Sequence, residues 1–221
     1  MITPRLNMIT THIYTRSIAD IGTDHAYIPI SLAREKKIDK AIATDLKKGP
    51  LLIAEANVKK YNLEEKIELR LGSGISPVEA GEVESIIIAG MGGELITNIL
   101  KNDETKARSA EFLILQPMNS QEVLRKWLSE NNFSIIEEDI ALEEYKVYNL
   151  IVAKQGKGVV FEDEFEYHVP EYLYSHEYFK EFKEKKIREF TKIKTGLLKA
   201  TKKDETLIEK YDVFLKKLER I

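Results

Sequence analysis

Cysteine is absent from this 221-residue sequence, and no apolar run approaches the roughly 18 residues that a membrane-spanning helix requires. The lack of thiols excludes disulfide bonds, thiolate zinc sites and cysteine nucleophiles. The opening stretch MITPRLNMITTHIY contains no apolar core of signal-peptide length, so we expect a cytoplasmic protein without membrane contact. Hydrophobic residues make up 43% and charged residues 32% of the chain, which is typical of a soluble globular protein.

Histidine is scarce as well, and the 4 histidines show none of the spacings that metal ligands have in sequence. The adjacent acids Glu143 and Glu144 are more simply interpreted as part of a hairpin turn. The sequence therefore predicts no metal site.

Charge is distributed unevenly along the chain. Residues 176–221 contain 14 Lys and Arg against 9 Asp and Glu, a net charge of +5, which leaves −8 for residues 1–175 out of a total of −3. A basic module attached to an acidic one indicates a polyanionic partner, because clustered cations release counterions from phosphates. A solvated helical pair that is merely rich in lysine is an equally good interpretation.

Five short β-rich runs alternate with helical patterns in the first part of the chain. They are 17–21 (SIADI), 40–45 (KAIATD), 66–71 (KIELRL), 85–89 (SIIIA) and 112–116 (FLILQ). Buried strands separated by helices predict a parallel sheet with crossover helices. Pro50 is expected in the first turn of one helix, and Asn119 or Ser120 is expected to cap another.

Two further extended runs, 134–144 and 146–156, are too close together for a crossover helix and are predicted to form an antiparallel hairpin. Five parallel strands followed by such a hairpin resemble the sheet of Rossmann-like class I methyltransferases. The predicted fold class is therefore α/β. Glycines, charges and a proline then interrupt the pattern, and we place a domain boundary near residue 156.

Beyond that boundary the apolar residues have helical spacing. One set spans 179–197 and a second follows in 4-3-4-3 steps over 207–221, with the polar segment TKKDE (201–205) between them. This pattern predicts an antiparallel helical pair with a coiled-coil-like seam over residues 156–221. The sequence does not distinguish a seam within one chain from a seam between subunits, so monomer and dimer both stay open.

The turn after the first strand, GTDHAY, carries only one of the three glycines of a dinucleotide-binding fingerprint. Asp24 stands where the second glycine would be, and its charge would repel a pyrophosphate. S-adenosylmethionine has no phosphate, and it carries a sulfonium cation and an ammonium group. The acidic turn therefore favours this cofactor over a nicotinamide dinucleotide.

Glycines or acids also follow the next three strands, at the edge of the sheet where open α/β folds bind ligands. Asp45 lies 23 residues after Gly22, a spacing suited to a carboxylate that accepts hydrogen bonds from ribose. The segments 72–74 (GSG) and 89–93 (AGMGG) end the third and fourth strands. Any one of these signals is weak by itself, but four at successive strand ends predict a binding site.

Several motifs together resemble the bacterial TrmK family of tRNA (adenine-22-N1)-methyltransferases. They are RL (5–6), ADIGTDHAYIP (19–29), GP (49–50), IIIAGMGG (86–93), LILQP (113–117), WL (127–128) and VYNLIVA (147–153). The resemblance implies S-adenosylmethionine as methyl donor, tRNA as substrate and a helical C-terminal module that helps to hold the tRNA. One departure is Ser73, where the family more often has an acid, which puts the usual contact to the cofactor adenine in question.

The strand ends and the resemblance together give two sets of candidate residues. Those assigned to catalysis and the target base are Asp24, Tyr27, Gly90, Met91, Gly92 and Gln116. Those assigned to the cofactor are Arg5, Leu6, Asp20, Gly22, Asp24, His25, Asp45, Leu46, Gly72, Ser73, Gly74, Gly90 and Met91. Asp24 could accept or relay the proton that a methylated adenine loses, or it could be only a cofactor ligand.

Two other functions stay open from the sequence. One is a non-catalytic RNA-binding protein on a methyltransferase fold, which would use its helical pair to bind partners. The other is a nicotinamide-dependent oxidoreductase, which the incomplete glycine fingerprint disfavours. The absence of a [DN]-P-P-[YF] motif after the fourth strand argues against methylation of an exocyclic amine.

Overall fold

Seven strands form one mixed sheet in the spatial order β3-β2-β1-β4-β5-β7-β6. The structure is a computed structural model that describes residues 2–221. The strands are Ser17–Ile21 (β1), Lys40–Asp45 (β2), Ile67–Leu71 (β3), Ser85–Met91 (β4), Phe112–Pro117 (β5), Phe133–Glu143 (β6) and Lys146–Gln155 (β7). All seven lie within two residues of their predicted positions.

Strands β1 to β5 are parallel, and helices cover both faces of the sheet, so β1, β2, β4 and β5 are nearly continuous runs of buried residues, while β3 at the edge is mostly not buried. In the register, Ile21 lies beside Thr44 and Ile88, and Ile88 lies beside Leu115. The carboxyl ends of four neighbouring strands therefore reach the same edge of the sheet.

The hairpin of β6 and β7 closes the other side. Strand β7 pairs antiparallel with both β5 and β6, and Glu143 pairs with Lys146, which leaves a two-residue loop. In this loop Glu144 has a φ of 57°, the left-handed backbone that tight hairpin turns require. The prediction of a Rossmann-like methyltransferase sheet ending in an antiparallel hairpin is confirmed.

Nine α-helices occur in the described chain. They are Pro4–Thr11 (α1), Tyr27–Arg34 (α2), Lys48–Lys60 (α3), Gly93–Asn102 (α4), Glu104–Ser109 (α5), Gln121–Glu130 (α6), Glu164–His168 (α7), Phe179–Lys199 (α8) and Glu205–Glu219 (α9). Pro50 lies in the first turn of α3, as expected. Ser120 is the N-cap of α6, but its backbone is left-handed and its side chain accepts no capping hydrogen bond. None of these helices is long and apolar enough to cross a bilayer.

The C-terminal helices α8 and α9 pair as predicted, but the coiled-coil detail is not confirmed. Phe182 and Leu218 are buried in a core that also contains Ile140 and Val147 from the hairpin. Part of the apolar face thus packs on the sheet rather than on the partner helix. Farther along α8, Ile193 is exposed, so the predicted seam does not continue to the end of the pair.

Candidate active site

A cavity of about 400 Å³ opens at the carboxyl ends of β1 and β4, where the chain leaves the centre of the sheet in opposite directions. Seven predicted site residues line it: Arg5, Leu6, Asp20, Gly22, Asp24, Tyr27 and Gly90. Four further residues that the sequence reasoning did not assign also contribute: Thr3, Thr23, Ile28 and Ala89. Thr3 could have been anticipated, because it precedes Pro4 and caps α1.

Gly22 forms the turn that ends β1. Its φ of 73° is a conformation that favours glycine, and a Cβ atom there would lie 2.2 Å from Met91 Cε, the end of a flexible side chain. The Gly22 amide donates to Thr44 O at 2.8 Å, which fixes the turn against β2. The first and fourth strand ends therefore touch through Gly22 and Met91.

Two residues that follow Gly22 also have a positive φ, although neither is a glycine. Asp24 and Ala26 have φ values of 54° and 59°, in the left-handed region that costs a residue with a side chain about 1 kcal/mol. The Asp24 carboxylate is largely exposed and lies 3.1 Å from His25 Nδ1, although the two are poorly aligned for a hydrogen bond. The loop thus presents a carboxylate to the cavity at the position where a dinucleotide site would have bare backbone.

Asp20 lies deeper in the same cavity and is 3% exposed. Burial raises the pKa of its carboxyl to about 6, while the Thr23 hydroxyl, which donates to Oδ2 at 2.6 Å, acts in the opposite direction. The charge of nearby Asp45 raises this pKa further. A bound cation would relieve this unfavourable burial of negative charge.

Gln116 connects three parts of the site. Its Oε1 accepts from Arg5 Nη1 at 3.1 Å and from the Gly90 amide at 3.2 Å, and its Nε2 donates to Pro117 O at 3.2 Å. The side chain is fully buried. In this arrangement Gln116 holds Arg5 and Gly90 in place, and its predicted contact with the target base stays a prediction.

The glycines after β4 pack against the loop after β5. A Cβ atom on Gly93 would lie 2.1 Å from Ser120 O, and one on Gly92 would lie 2.8 Å from Asn119 Oδ1. Gly92 is also the N-cap of α4. Close approach to a neighbouring backbone is therefore a sufficient reason for Gly93, whereas the near atom at Gly92 belongs to a side chain.

A second group of predicted residues lies beside the cavity, on the β2 and β3 side. Asp45 O accepts from the Gly72 amide at 3.0 Å, and Asp45 Oδ1 accepts from the Lys47 amide at 2.9 Å. Leu46 and Ser73 are exposed, whereas Gly74 has a φ of 54° and packs near Ile99. Strand β2 pairs with β1, and β3 pairs with β2, so these residues lie to one side of the end of β1. They do not line the cavity itself.

The sheet order, the antiparallel β7 and an acid-lined cavity at the switch point define the class of Rossmann-like methyltransferases. Residues 2–151 match the family model described as a methyltransferase domain. Among the described residues, no group of three or more His, Asp or Glu side chains is arranged to hold a metal ion.

Comparisons with individual proteins give the particular family. The chain is 39% identical over 153 residues, 69% of its length, to the tRNA (adenine(22)-N(1))-methyltransferase of Bacillus subtilis. It is 33% identical to Streptococcus pneumoniae Sp1610 in complex with S-adenosyl-L-methionine, with 99% of both chains covered and a TM-score of 0.85. For M. capricolum TrmK in complex with S-adenosyl-homocysteine, the identity is 30%, the coverage 98% of this chain and 95% of the other, and the TM-score 0.81.

These likenesses show that the chain belongs to the TrmK family of methyltransferases, which confirms the resemblance carried by its motifs. The chain aligns with 64% and 62% of the lengths of the two curated relatives it matches, slightly less than two thirds. The solved structures, in contrast, are matched along nearly their whole chains.

Proposed function

We propose that this protein transfers the methyl group of S-adenosylmethionine to N1 of adenine 22 in tRNA. The observation that carries the proposal is the cavity at the switch point of the sheet, which is lined by two carboxylates and lacks a phosphate-binding glycine loop. A cationic donor suits such a site. The Streptococcus pneumoniae protein matched over 99% of its chain has that donor bound.

The residues present fit the proposed cofactor. When bound, S-adenosylmethionine supplies an electrophilic methyl group on a sulfonium cation. Asp20 is buried and its pKa is raised, so a neighbouring ammonium group would stabilise its charged form. Asp45 would accept hydrogen bonds from the ribose hydroxyls. The bend at Gly72–Gly74 would lie beside the adenine, with Ser73 in place of the acid that is more frequent in the family.

The target adenine attacks through the in-plane lone pair of N1, so positioning is the main contribution that the protein makes. Methylation leaves the base cationic until its exocyclic amine loses a proton. Asp24 is the proposed acceptor, because its carboxylate is exposed to the cavity and His25 stands beside it. Tyr27, 53% exposed at the cavity rim, is proposed to contact the base, and Gly90 and Met91 to provide its other wall.

Because N1 lies on the Watson–Crick edge, the base must leave its pairing partner, and the protein must hold the surrounding backbone. We assign this task to residues 156–221, with residues 1–155 as the catalytic unit. The net charge of +5 over 176–221 supports the assignment and predicts binding that weakens steeply with salt. Such an enzyme would act on tRNA in the cytoplasm.

The test is methyl transfer from labelled S-adenosylmethionine to unmodified tRNA, with the product nucleoside identified. We expect 1-methyladenosine, and no product from the same tRNA with guanine at position 22. Cofactor binding without transfer to any tRNA would support a non-catalytic RNA-binding protein instead. Binding of a nicotinamide dinucleotide in place of S-adenosylmethionine would contradict the cofactor assignment.

A further inference from the structure

A second cleft, of about 260 Å³, lies between the tip of the β6–β7 hairpin and helix α8. Its lining consists of Met118, Tyr145, Lys146, Val147, Tyr148, Lys185 and Arg188. Three of these side chains are cations, two are tyrosines and none is an acid. The cleft therefore differs in charge from the methyl-donor cavity, which carries two carboxylates.

Tyr145 is the most exposed of the large hydrophobic side chains of the cleft. It occupies the two-residue hairpin loop, and 81% of its surface is open to solvent. Lys146 Nζ lies 5.8 Å from the centre of its ring. A planar ring held at a tight turn next to a cation is well suited to stack on a nucleobase.

Lys185 supplies a cation that its surroundings do not neutralise. Its Nζ donates to Val147 O at 2.9 Å, and no carboxylate among residues 2–221 forms an ion pair with it. Burial lowers the pKa of this ammonium to about 8. The charge of Glu189 raises this pKa, and the nearby cations Lys186, Arg125 and Arg188 lower it. A phosphate in the cleft would stabilise the charged form.

The cleft adjoins the reaction centre through two contacts. The Arg5 guanidinium, which lines the methyl-donor cavity, lies 5.7 Å from the centre of the Tyr148 ring. The Met118 amide donates to Met91 O at 2.8 Å, so the loops that end β4 and β5 are joined. A group bound in the cleft would therefore lie close to the target base.

We propose that this cleft binds a nucleotide that flanks the target adenine in tRNA, with Lys185 and Arg188 on its phosphate and Tyr145 stacked on its base. The inference rests on the proposed function, because it requires an RNA substrate at the neighbouring site. It assigns the hairpin loop, which belongs to the methyltransferase sheet, a direct part in holding the RNA.

The test compares tRNA affinity and methyl transfer for Tyr145→Ala, Tyr145→Phe and Arg188→Gln with the wild type. The control is Lys154→Gln, which removes an exposed cation at the end of β7 opposite the hairpin loop, outside the cleft and outside residues 156–221. We expect Tyr145→Ala to weaken tRNA binding roughly 5- to 100-fold, and Tyr145→Phe to retain it, because stacking needs only the ring. Arg188→Gln should make binding less sensitive to salt. The slope of log affinity against log salt concentration should fall in magnitude by about 1, the change expected for the loss of one phosphate contact.

Cofactor affinity should be the same in all variants. Equal tRNA affinity for Tyr145→Ala, Arg188→Gln and the Lys154→Gln control, alongside normal methylation by the wild type, would overturn the inference and leave the proposed function intact. A wild-type protein that neither binds nor methylates tRNA would overturn both.

Discussion

The core of the sheet and the core of the C-terminal helices are built from different side chains. Around the strands the buried residues are mostly Ile, Leu, Val and Ala, for example Ile18, Ile87 and Ile114. Around α8 and α9 they include four phenylalanines: Phe165, Phe182, Phe190 and Phe214. β-Branched side chains suit strands that are covered on both faces, whereas two helices must fill their core with fewer, larger groups.

The two regions also differ in where they place unfavourable features. At the end of β1, Asp20 is buried without a cation, and Asp24 and Ala26 have left-handed backbones. In the helical region, buried Lys186 has Glu189 at 3.0 Å and Gln121 at 3.2 Å. Two left-handed residues in one turn beside a buried carboxylate are typical of a loop whose shape serves a ligand, and no non-glycine residue in 156–221 has a positive φ.

The largest expected effect concerns a buried ion pair at the boundary between the two regions. Arg125 and Glu138 are fully buried, with Nε and Nη2 donating to the carboxylate at 2.8 Å, and Arg125 Nη1 donates to Tyr167 O at 2.7 Å. Arg125→Met should lower the free energy of unfolding by about 3 to 5 kcal/mol, because Glu138 is left buried and unpaired. Denaturant titration measures this, and the double variant Arg125→Met/Glu138→Leu should recover most of the loss. A loss below about 1 kcal/mol would contradict the burial of this pair, because only solvent-exposed ion pairs contribute so little.

The helical core can be weakened separately. Phe214 is buried, with ring centres of Phe165 and Phe190 each 5.4 Å away. Phe214→Ala should cost about 3 kcal/mol and reduce tRNA affinity, while S-adenosylmethionine affinity below the melting temperature stays unchanged. Calorimetric titration with the cofactor measures the second part. A parallel loss of cofactor binding would mean that the two regions are not separable in function.

At the site, removal of a charge should stabilise the protein. The pKa of Asp20 is raised above its unfolded value, so its stabilising contribution is complete below about pH 4 and is lost as pH rises through about 6. Asp20→Asn should therefore be more stable than the wild type by roughly 2 kcal/mol at pH 7, with no difference near pH 4. Its cofactor affinity should fall. Thermal unfolding of both proteins across this pH range is the measurement, and a pH-independent difference would contradict the account.

The smallest expected effect comes from the loop backbone. Asp24→Gly removes a side chain from a position with a positive φ, which glycine adopts without strain, and should raise the free energy of unfolding by about 0.5 to 1 kcal/mol. Methyl transfer should be lost, because the carboxylate is gone. Lys36→Gly is a matched control, since Lys36 is also left-handed and lies at the end of α2, away from the cavity. The control should gain stability and keep its activity.

The strands, the hairpin and the acidic turn could be predicted from the sequence because each has a local cause. Buried strands need continuous apolar runs, and Gly22 is dictated by a positive φ. Other features depend on distant partners. The buried role of Gln116 requires Arg5 and Gly90 beside it, and the packing of α8 on Val147 is not encoded in the spacing of the helix itself. A periodic apolar pattern shows that a helix face is covered, but not by what.

The most direct test of the central claim separates binding from turnover in Asp24→Asn, which keeps the shape of the side chain and removes its charge. S-Adenosylmethionine affinity and single-turnover methylation of unmodified tRNA should be measured on the same preparations. We predict cofactor affinity within about threefold of the wild type and a rate of 1-methyladenosine formation lower by about 10²- to 10⁴-fold. An unchanged rate, or a loss of rate that the loss of cofactor binding fully explains, would contradict the assignment of Asp24 to the base.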